Sequence, residues 1–264
     1  MNAVPGGYES EQSDLDDDFF DGFYTGKSNL PTKIVEKSPL EQKKLKLMEF
    51  LKNSDVAAMR EELDNDVKGF DIDENIDGYW NLLYHACFLA VHDVVSFLIE
   101  ERGATVNMTR NSETPLMVSC YSDGDSEDVL AVVKALIKES TVIGAANLLG
   151  ITPLMFASKH GHTSVVRYLL ALNDAFDAID NEGTNALFHA IDGKHEDIAK
   201  ILIEAGIDLN VSNKFRCTAR DYSRNENCEA IFKLFPAEII RYQTPGSFMS
   251  YNRFEDMIPG IAEM

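Results

Sequence analysis

Two stretches of this chain repeat each other at a fixed distance. "GITPLMFASKHGHTSVVRYLL" begins at Gly150 and "GTNALFHAIDGKHEDIAKILI" begins at Gly183. Gly150 aligns with Gly183, Leu154 with Leu187, Ala157 with Ala190, His162 with His195, Val165 with Ile198 and Leu169 with Leu202, every pair 33 residues apart. Each position has a physical reason. Thr152 can cap a helix, and Pro153 sits where no backbone donor is needed. Leu154 and Ala157 face inward, Ala157 being small enough to let two helices approach. A Gly-His turn ends the first helix. Val165, Val166, Leu169 and Leu170 form the apolar stripe of a second. A unit of this size cannot bury its own stripe, so units must stack.

A 33-residue period opening with G-x-T-P-L-x-x-A is the ankyrin signature. The same template finds weaker copies. "NSETPLMVSC" (Asn111 to Cys120) starts one, followed by the helix "EDVLAVVKALI", with about five extra residues around "YSDGDS" between its helices. "YWNLLYHACFLAVHDVVSFLI" (Tyr79 to Ile99) is another, with Asn81-Leu82 in place of Thr-Pro. "CTARDYSRNENCEAIFKLF" (Cys217 to Phe235) reads as a divergent C-terminal cap. "SPLEQKKLKLMEFLKNSDVAAMREELD" (Ser38 to Asp64) reads as a charged helix pair that caps the other end, where one face must be wet. The expected fold is an all-α ankyrin-repeat solenoid of five or six stacked helix pairs with β-hairpin fingers. Residues 38–236 form the repeat domain, residues 1–37 an acidic disordered tail and residues 237–264 a C-terminal tail or linker.

Chemistry-bearing motifs dissolve on inspection. His162 and His195 recur at the turn between helices, where an imidazole bonds neighbouring backbone and ties units together. His160 aligns with Gly193 and belongs to no repeated ligand set, so no metal site is expected. "DGFYTGKS" ends like a phosphate-binding loop, but Asp21 stands where its first glycine belongs, and "SDLDDDFF" precedes it instead of an apolar strand. "DIDENIDG" (Asp71 to Gly78) has the acidity of a calcium loop without the late glutamate, and reads as a finger. Catalytic residues and cofactors are expected to be none. Lys and Arg total 24 against 44 Asp and Glu, a net charge of −20. Such a surface repels phosphate backbones, so no direct nucleic-acid contact is expected, and basic or neutral protein partners fit better. Cys87, Cys120, Cys217 and Cys228 lack zinc or disulfide-framework spacing, which suits a reducing, intracellular compartment. No apolar leader opens the chain and no window of eighteen apolar residues occurs, so no membrane insertion by this chain is expected.

Binding is expected on the fingertips and the exposed side of each first helix. Mapping the template gives Leu148, Leu149 and Ile151 at one tip, with Lys159 and His160 on the helix behind it. Arg110, Asn181 and Glu182 form a polar rim on neighbouring tips. Trp80, Phe88 and Leu89 take the equivalent places one way along the stack, and Tyr121 and Ser122 lie between. An apolar tip is costly to leave in water, and an aromatic and aliphatic row with a polar rim has the make-up of a partner-binding cluster. Phe19, Phe20, Phe23 and Tyr24, set among aspartates, read either as part of a solubilising tail or as a second candidate, a tail motif that folds on a basic, apolar groove of a partner.

The order of these features resembles the GASZ family, germ-cell proteins with ankyrin repeats, a SAM domain and a basic leucine zipper. The resemblance rests on the acidic N-terminus, "SPLEQKKLKLMEFLKNSDVAAMREELD", the Trp80-bearing unit, "SCYSDGDSEDVLAVVKALI" with its insertion and "TPLMFASKHGHTSVVRYLL". It implies a non-enzymatic scaffold for piRNA biogenesis, RNA-mediated gene silencing and transposon control during gametogenesis, meiosis and germ-cell differentiation. Its implied partners are an RNA helicase, Piwi-pathway factors and membrane-linked adaptors. The implied location is cytoplasmic, in germ granules (nuage), at the mitochondrial outer surface through a partner or a further C-terminal segment. Residues after 236 show no SAM pattern, zipper heptad or membrane span, so self-association through SAM and membrane attachment are not expected of this chain alone.

Overall fold

The computed structural model describes residues 37–65, 70–110, 112–139, 141–172 and 176–235. The tail motif at Phe19, Phe20, Phe23 and Tyr24, the phosphate-loop lookalike and the C-terminal segment lie outside them.

The described residues form six helix pairs. The first is α1 (Pro39–Lys52) with α2 (Val56–Asp64). The second is α3 (Leu82–Phe88) with α4 (His92–Ser96), which runs on as a π-helical turn over Phe97–Glu101. Then come α5 (Pro115–Cys120) with α6 (Ser126–Lys138), and α7 (Pro153–Lys159) with α8 (Thr163–Ala171). The last two pairs are α9 (Ala186–Asp192) with α10 (Glu196–Glu204), and α11 (Ala219–Asn225) with α12 (Glu229–Phe232).

The first helices from α3 onward each start on a side-chain cap. Thr114 and Thr152 accept from the backbone N–H groups of Met117 and Met155, with Pro115 and Pro153 directly after them. Asn81, Asn185 and Thr218 do the same for α3, α9 and α11. The side chain satisfies a donor that the helix cannot, which fixes where the chain turns.

First helices stack on first helices, in the row α3, α5, α7, α9, α11. Second helices form a parallel row, α4, α6, α8, α10, α12, and α1 packs on α3 at the start. The core runs continuously between the rows: Leu83, Val118, Leu154, Ala157, Leu187 and Ala190 from one side, Val94, Val133, Val165, Leu169, Ile198 and Leu202 from the other, all buried. The aligned pairs thus meet in space because each must cover its neighbour's stripe.

Three expectations change. The α5–α6 connection is longer than its counterparts by two residues, not about five: residues 121–125 against residues 160–162 and 193–195. The fingers carry no strand among the described residues. They are tight turns with isolated bridges, Arg110 to Glu113 and Ser212 to Thr218. Side chains hold them instead. Asn147 Oδ1 accepts from the N–H groups of Leu149 and Ile151, Asp180 Oδ1 from Glu182 and Thr184, and Asn213 Oδ1 from Phe215 and Cys217. These three residues are themselves 33 apart, and each makes the Asx-type turn that lets a short finger dispense with a ladder. The third change concerns exposure at the candidate surface, described next.

Candidate partner-binding surface

Adjacent fingers are joined at their tips. The Asn181 N–H donates to the Leu149 carbonyl at 2.9 Å, its side-chain amide donates to the Leu148 carbonyl at 2.8 Å, and the Lys214 N–H donates to the Glu182 carbonyl at 2.9 Å. The two bonds from Asn181 use the carbonyls of Leu148 and Leu149, whose side chains face outward. Leu148 is 79% exposed and Leu149 60%. Ile151, expected beside them at the tip, is half-buried and packed against the core. Asn181 and Glu182 are exposed, and the Glu182 carboxylate pairs with Lys214 at 2.7 Å.

The first helices contribute an aromatic chain. The Trp80 ring lies 5.3 Å from His85 and 5.4 Å from Phe88, Phe88 lies 6.2 Å from Tyr121, and Tyr121 lies 5.0 Å from Phe156 and 6.1 Å from His160. Trp80 and Phe88 are half-buried, and Leu89 and His160 are exposed. Tyr121 corrects the template reading. It is only 7% exposed, its hydroxyl donates to Glu113 Oε2 at 2.8 Å, and Ser122 beside it is buried as well. The two extra residues in the α5–α6 connection bring the chain back over the stack, so the template's exposed slot becomes an interior one. Burial also lifts the Glu113 carboxyl above its ordinary range.

Arg110 also turns inward. It is half-buried and donates through Nη2 to the Asp73 carbonyl at 2.6 Å, tying two fingers together. Lys159 is half-exposed, with its ammonium 3.2 Å from Asp192. Sequence reasoning missed two residues. Phe215 is 82% exposed at the tip of the last finger, 66 residues beyond Leu149 and so two repeats along the same column. Phe156 carries the aromatic chain onto α7. Both were legible from the period, had the column been followed through every unit.

The histidines sit where the repeat puts them. His162 Nε2 donates to the Ser122 carbonyl at 2.8 Å and His195 Nε2 donates to the Lys159 carbonyl at 3.0 Å, each reaching the preceding unit. A second recurring pair joins finger to helix: His85 Nε2 lies 2.9 Å from Asp77 Oδ2, and His189 Nε2 lies 3.0 Å from Asp180 Oδ2. Desolvation pushes the His160 ring down to about 4, with the neighbouring His162 and Lys159 charges adding to the shift. Among the described residues no group of three or more His, Cys, Asp or Glu could hold a metal ion. Cys87 and Cys120 are buried free thiols, the latter pushed up to about 12 by desolvation, and neither has the thiolate character of a nucleophile. Among the same residues no helix is long and apolar enough to cross a membrane.

A family model for ankyrin repeats, in three copies, matches residues 125–213, the stretch holding α6 to α10 and the fingers between them. Residues 125–213 of this chain carry ankyrin repeats. The repeat region is similar to that of curated proteins named "Ankyrin repeat, SAM and basic leucine zipper domain-containing protein 1". It is 32% identical over 164 residues to the one from Mus musculus and 31% identical over 163 residues to the one from Homo sapiens, covering 62% of this chain and 33% of each relative. The protein of that name from Ornithorhynchus anatinus is 29% identical over 168 residues, covering 64% of this chain and 34% of the relative. The chain thus spans about a third of the length of the curated relatives it matches. Ankyrin stacks are interaction modules, and the relatives' names carry no enzyme activity.

Proposed function

We propose that this chain is a non-enzymatic scaffold that holds other proteins through its fingertips and first-helix face. The proposal extends to the role implied by the GASZ resemblance: support of piRNA biogenesis and transposon silencing in germ cells. On this reading its partners are an RNA helicase, Piwi-pathway factors and membrane-linked adaptors. It works in cytoplasmic germ granules, reaching the mitochondrial surface through a partner or a further C-terminal segment.

The observation that carries the interaction reading is the pair Leu148 and Leu149, 79% and 60% exposed side by side. A folded protein gains nothing by holding two leucines in water unless something covers them. The flanking amide and carboxylate of Asn181 and Glu182 supply the polar rim of such a contact.

The test is affinity capture of the tagged chain from gonad lysate, beside a Leu148→Asp/Leu149→Asp variant checked for folding by circular dichroism. Both backbones keep their bonds to Asn181 in the variant, so the fold is expected to survive. Loss of several silencing-pathway proteins from the folded variant is the expected result. Their retention would move the surface elsewhere. Capture of a single enzyme or transcription factor and nothing else would replace the scaffold with an inhibitor or regulatory subunit.

A further inference from the structure

The stack carries the same side-chain arrangement near both ends, and only one copy is neutralised. In the first copy, Arg60 and Arg102 lie over the ring of Phe97, with guanidinium carbons 5.3 Å and 5.2 Å from its centre. In the second, Arg220 and Arg224 lie over Phe232, at 5.1 Å and 4.7 Å. Two cations on one ring gain from its electron-rich faces but repel each other. In the first copy carboxylates answer both. Arg60 grips Glu101 with its fork, Nε to Oε2 at 3.1 Å and Nη2 to Oε1 at 2.5 Å, and Arg102 Nη2 donates to Asp64 Oδ1 at 2.8 Å.

In the second copy neither guanidinium has a hydrogen bond or ion pair among the described residues. Arg220 Nε is buried without an acceptor, as Arg102 Nε is, but Arg220 has no terminal bond to offset it. Asp221, beside Arg220 in the sequence, is committed elsewhere. Its Oδ2 accepts both the hydroxyl and the N–H of Thr218, and those bonds, with the two arginines, hold its carboxyl below the ordinary range.

The period shows what this face replaces. At the position of Arg220 the two preceding units have Leu154 and Leu187, at Arg224 they have Ser158 and Ile191, and at Phe232 they have Val166 and Ala199. All six are buried. In the last described unit the face is cationic and aromatic instead. Lys214, Arg216, Arg220, Arg224 and Lys233 outnumber Asp221, Glu226 and Glu229 there, within a chain of net charge −20.

We propose that the face formed by Arg220, Arg224 and Phe232 is a second docking site, and that it takes an acidic segment of a partner protein. Glu101 and Asp64 show which chemistry this arrangement accepts: paired carboxylates, one gripped by the planar fork and one end-on. A polyphosphate would meet the long-range repulsion of the whole acidic chain at every residue, whereas a short carboxylate segment brings few charges and a backbone that can lie along α11.

The probe is a fluorescein-labelled twelve-residue peptide of leucine and glutamate, its glutamates four apart, followed by anisotropy against the full chain at low salt. Saturable binding is expected, weakened at least tenfold in Arg220→Gln/Arg224→Gln and unchanged in Arg60→Gln/Arg102→Gln. Arg220→Lys/Arg224→Lys, which keeps the charge and loses the fork, is expected to lose most of the binding. Amide exchange on the wild-type chain with peptide should show protection concentrated in residues 219–232, a readout that survives even if a variant misfolds. No binding to the wild type, equal binding to the lysine variant, protection confined to other helices, or tighter binding of a uridine decamer than of the peptide would each overturn the proposal.

Discussion

Among the described residues, five of the six helix pairs turn in three residues and one turns in five. In every short turn the middle residue is left-handed: Ser54 (φ 55°), Ala90 (φ 53°), Gly161 (φ 82°), Lys194 (φ 59°) and Asn227 (φ 56°). Only one of these is the glycine that the conformation favours. The α5–α6 connection, Tyr121 to Asp125, contains no positive φ at all. Two extra residues thus let the chain reverse without strain. The reversal also folds Tyr121 and Ser122 inward and offers the Ser122 carbonyl to His162. Short turns hold register through strain and close approach; the long turn holds it through side chains packed behind it.

The largest effect is expected where a short turn is tightest. A Cβ at Gly193 would meet the Lys159 carbonyl oxygen at 2.1 Å, a backbone atom that cannot swing away. Gly193→Val is therefore expected to cost about 3 kcal/mol or more, read by urea denaturation. A Cβ at Gly124, in the long turn, would meet the Ala90 Cβ at 2.6 Å and the Ser122 hydroxyl at 3.1 Å, so Gly124→Val also costs stability but less, and the comparison fails if it costs as much.

The histidine bridges come next. His162→Ala removes the only hydrogen bond the described residues give the ring and leaves the Ser122 carbonyl short of a donor, a loss of about 1 to 2 kcal/mol. His195→Ala is expected to fall in the same range, since its bond to Lys159 plays the same part across a short turn.

Acid should probe the same turns. Desolvation lowers His160 to about 4 and lowers His162 as well, in the second case against the opposing bond to Ser122. In the unfolded chain both rings take up a proton near pH 6.5, roughly the ordinary histidine value. The folded chain refuses it until lower pH, so unfolding binds protons and stability falls as pH drops from about 6.5 toward 4. Thermal melts across that window should show the decline, and His160→Gln should flatten it. A melt temperature that holds level down to pH 4 would mean the rings protonate freely in the folded stack.

The smallest effect has the opposite sign. Lys194→Gly relieves a left-handed lysine at the price of a floppier unfolded chain, for a net gain of about 0.5 kcal/mol, read by the shift in urea midpoint.

The stacking order, the helix starts at Asn81, Thr114 and Thr152 and the role of His162 and His195 followed from the amino-acid sequence. They depend on short-range chemistry that recurs every 33 residues: a capping oxygen, a proline without a donor, an apolar stripe too wide to leave uncovered. Exposure was harder to read. The template put Tyr121 on the surface because two added residues shift no letter of the pattern, yet they redirect the chain. Tertiary structure alone decided the bonds that join the fingertips, from Asn181 to the carbonyls of Leu148 and Leu149. It also decided the two Arg–Phe–Arg arrangements, which span 42 residues at one end (Arg60 to Arg102) and 12 at the other (Arg220 to Phe232). Periodicity fixes which residues face a neighbour. Which of them find a counter-charge depends on how helices far apart in the chain come to lie side by side.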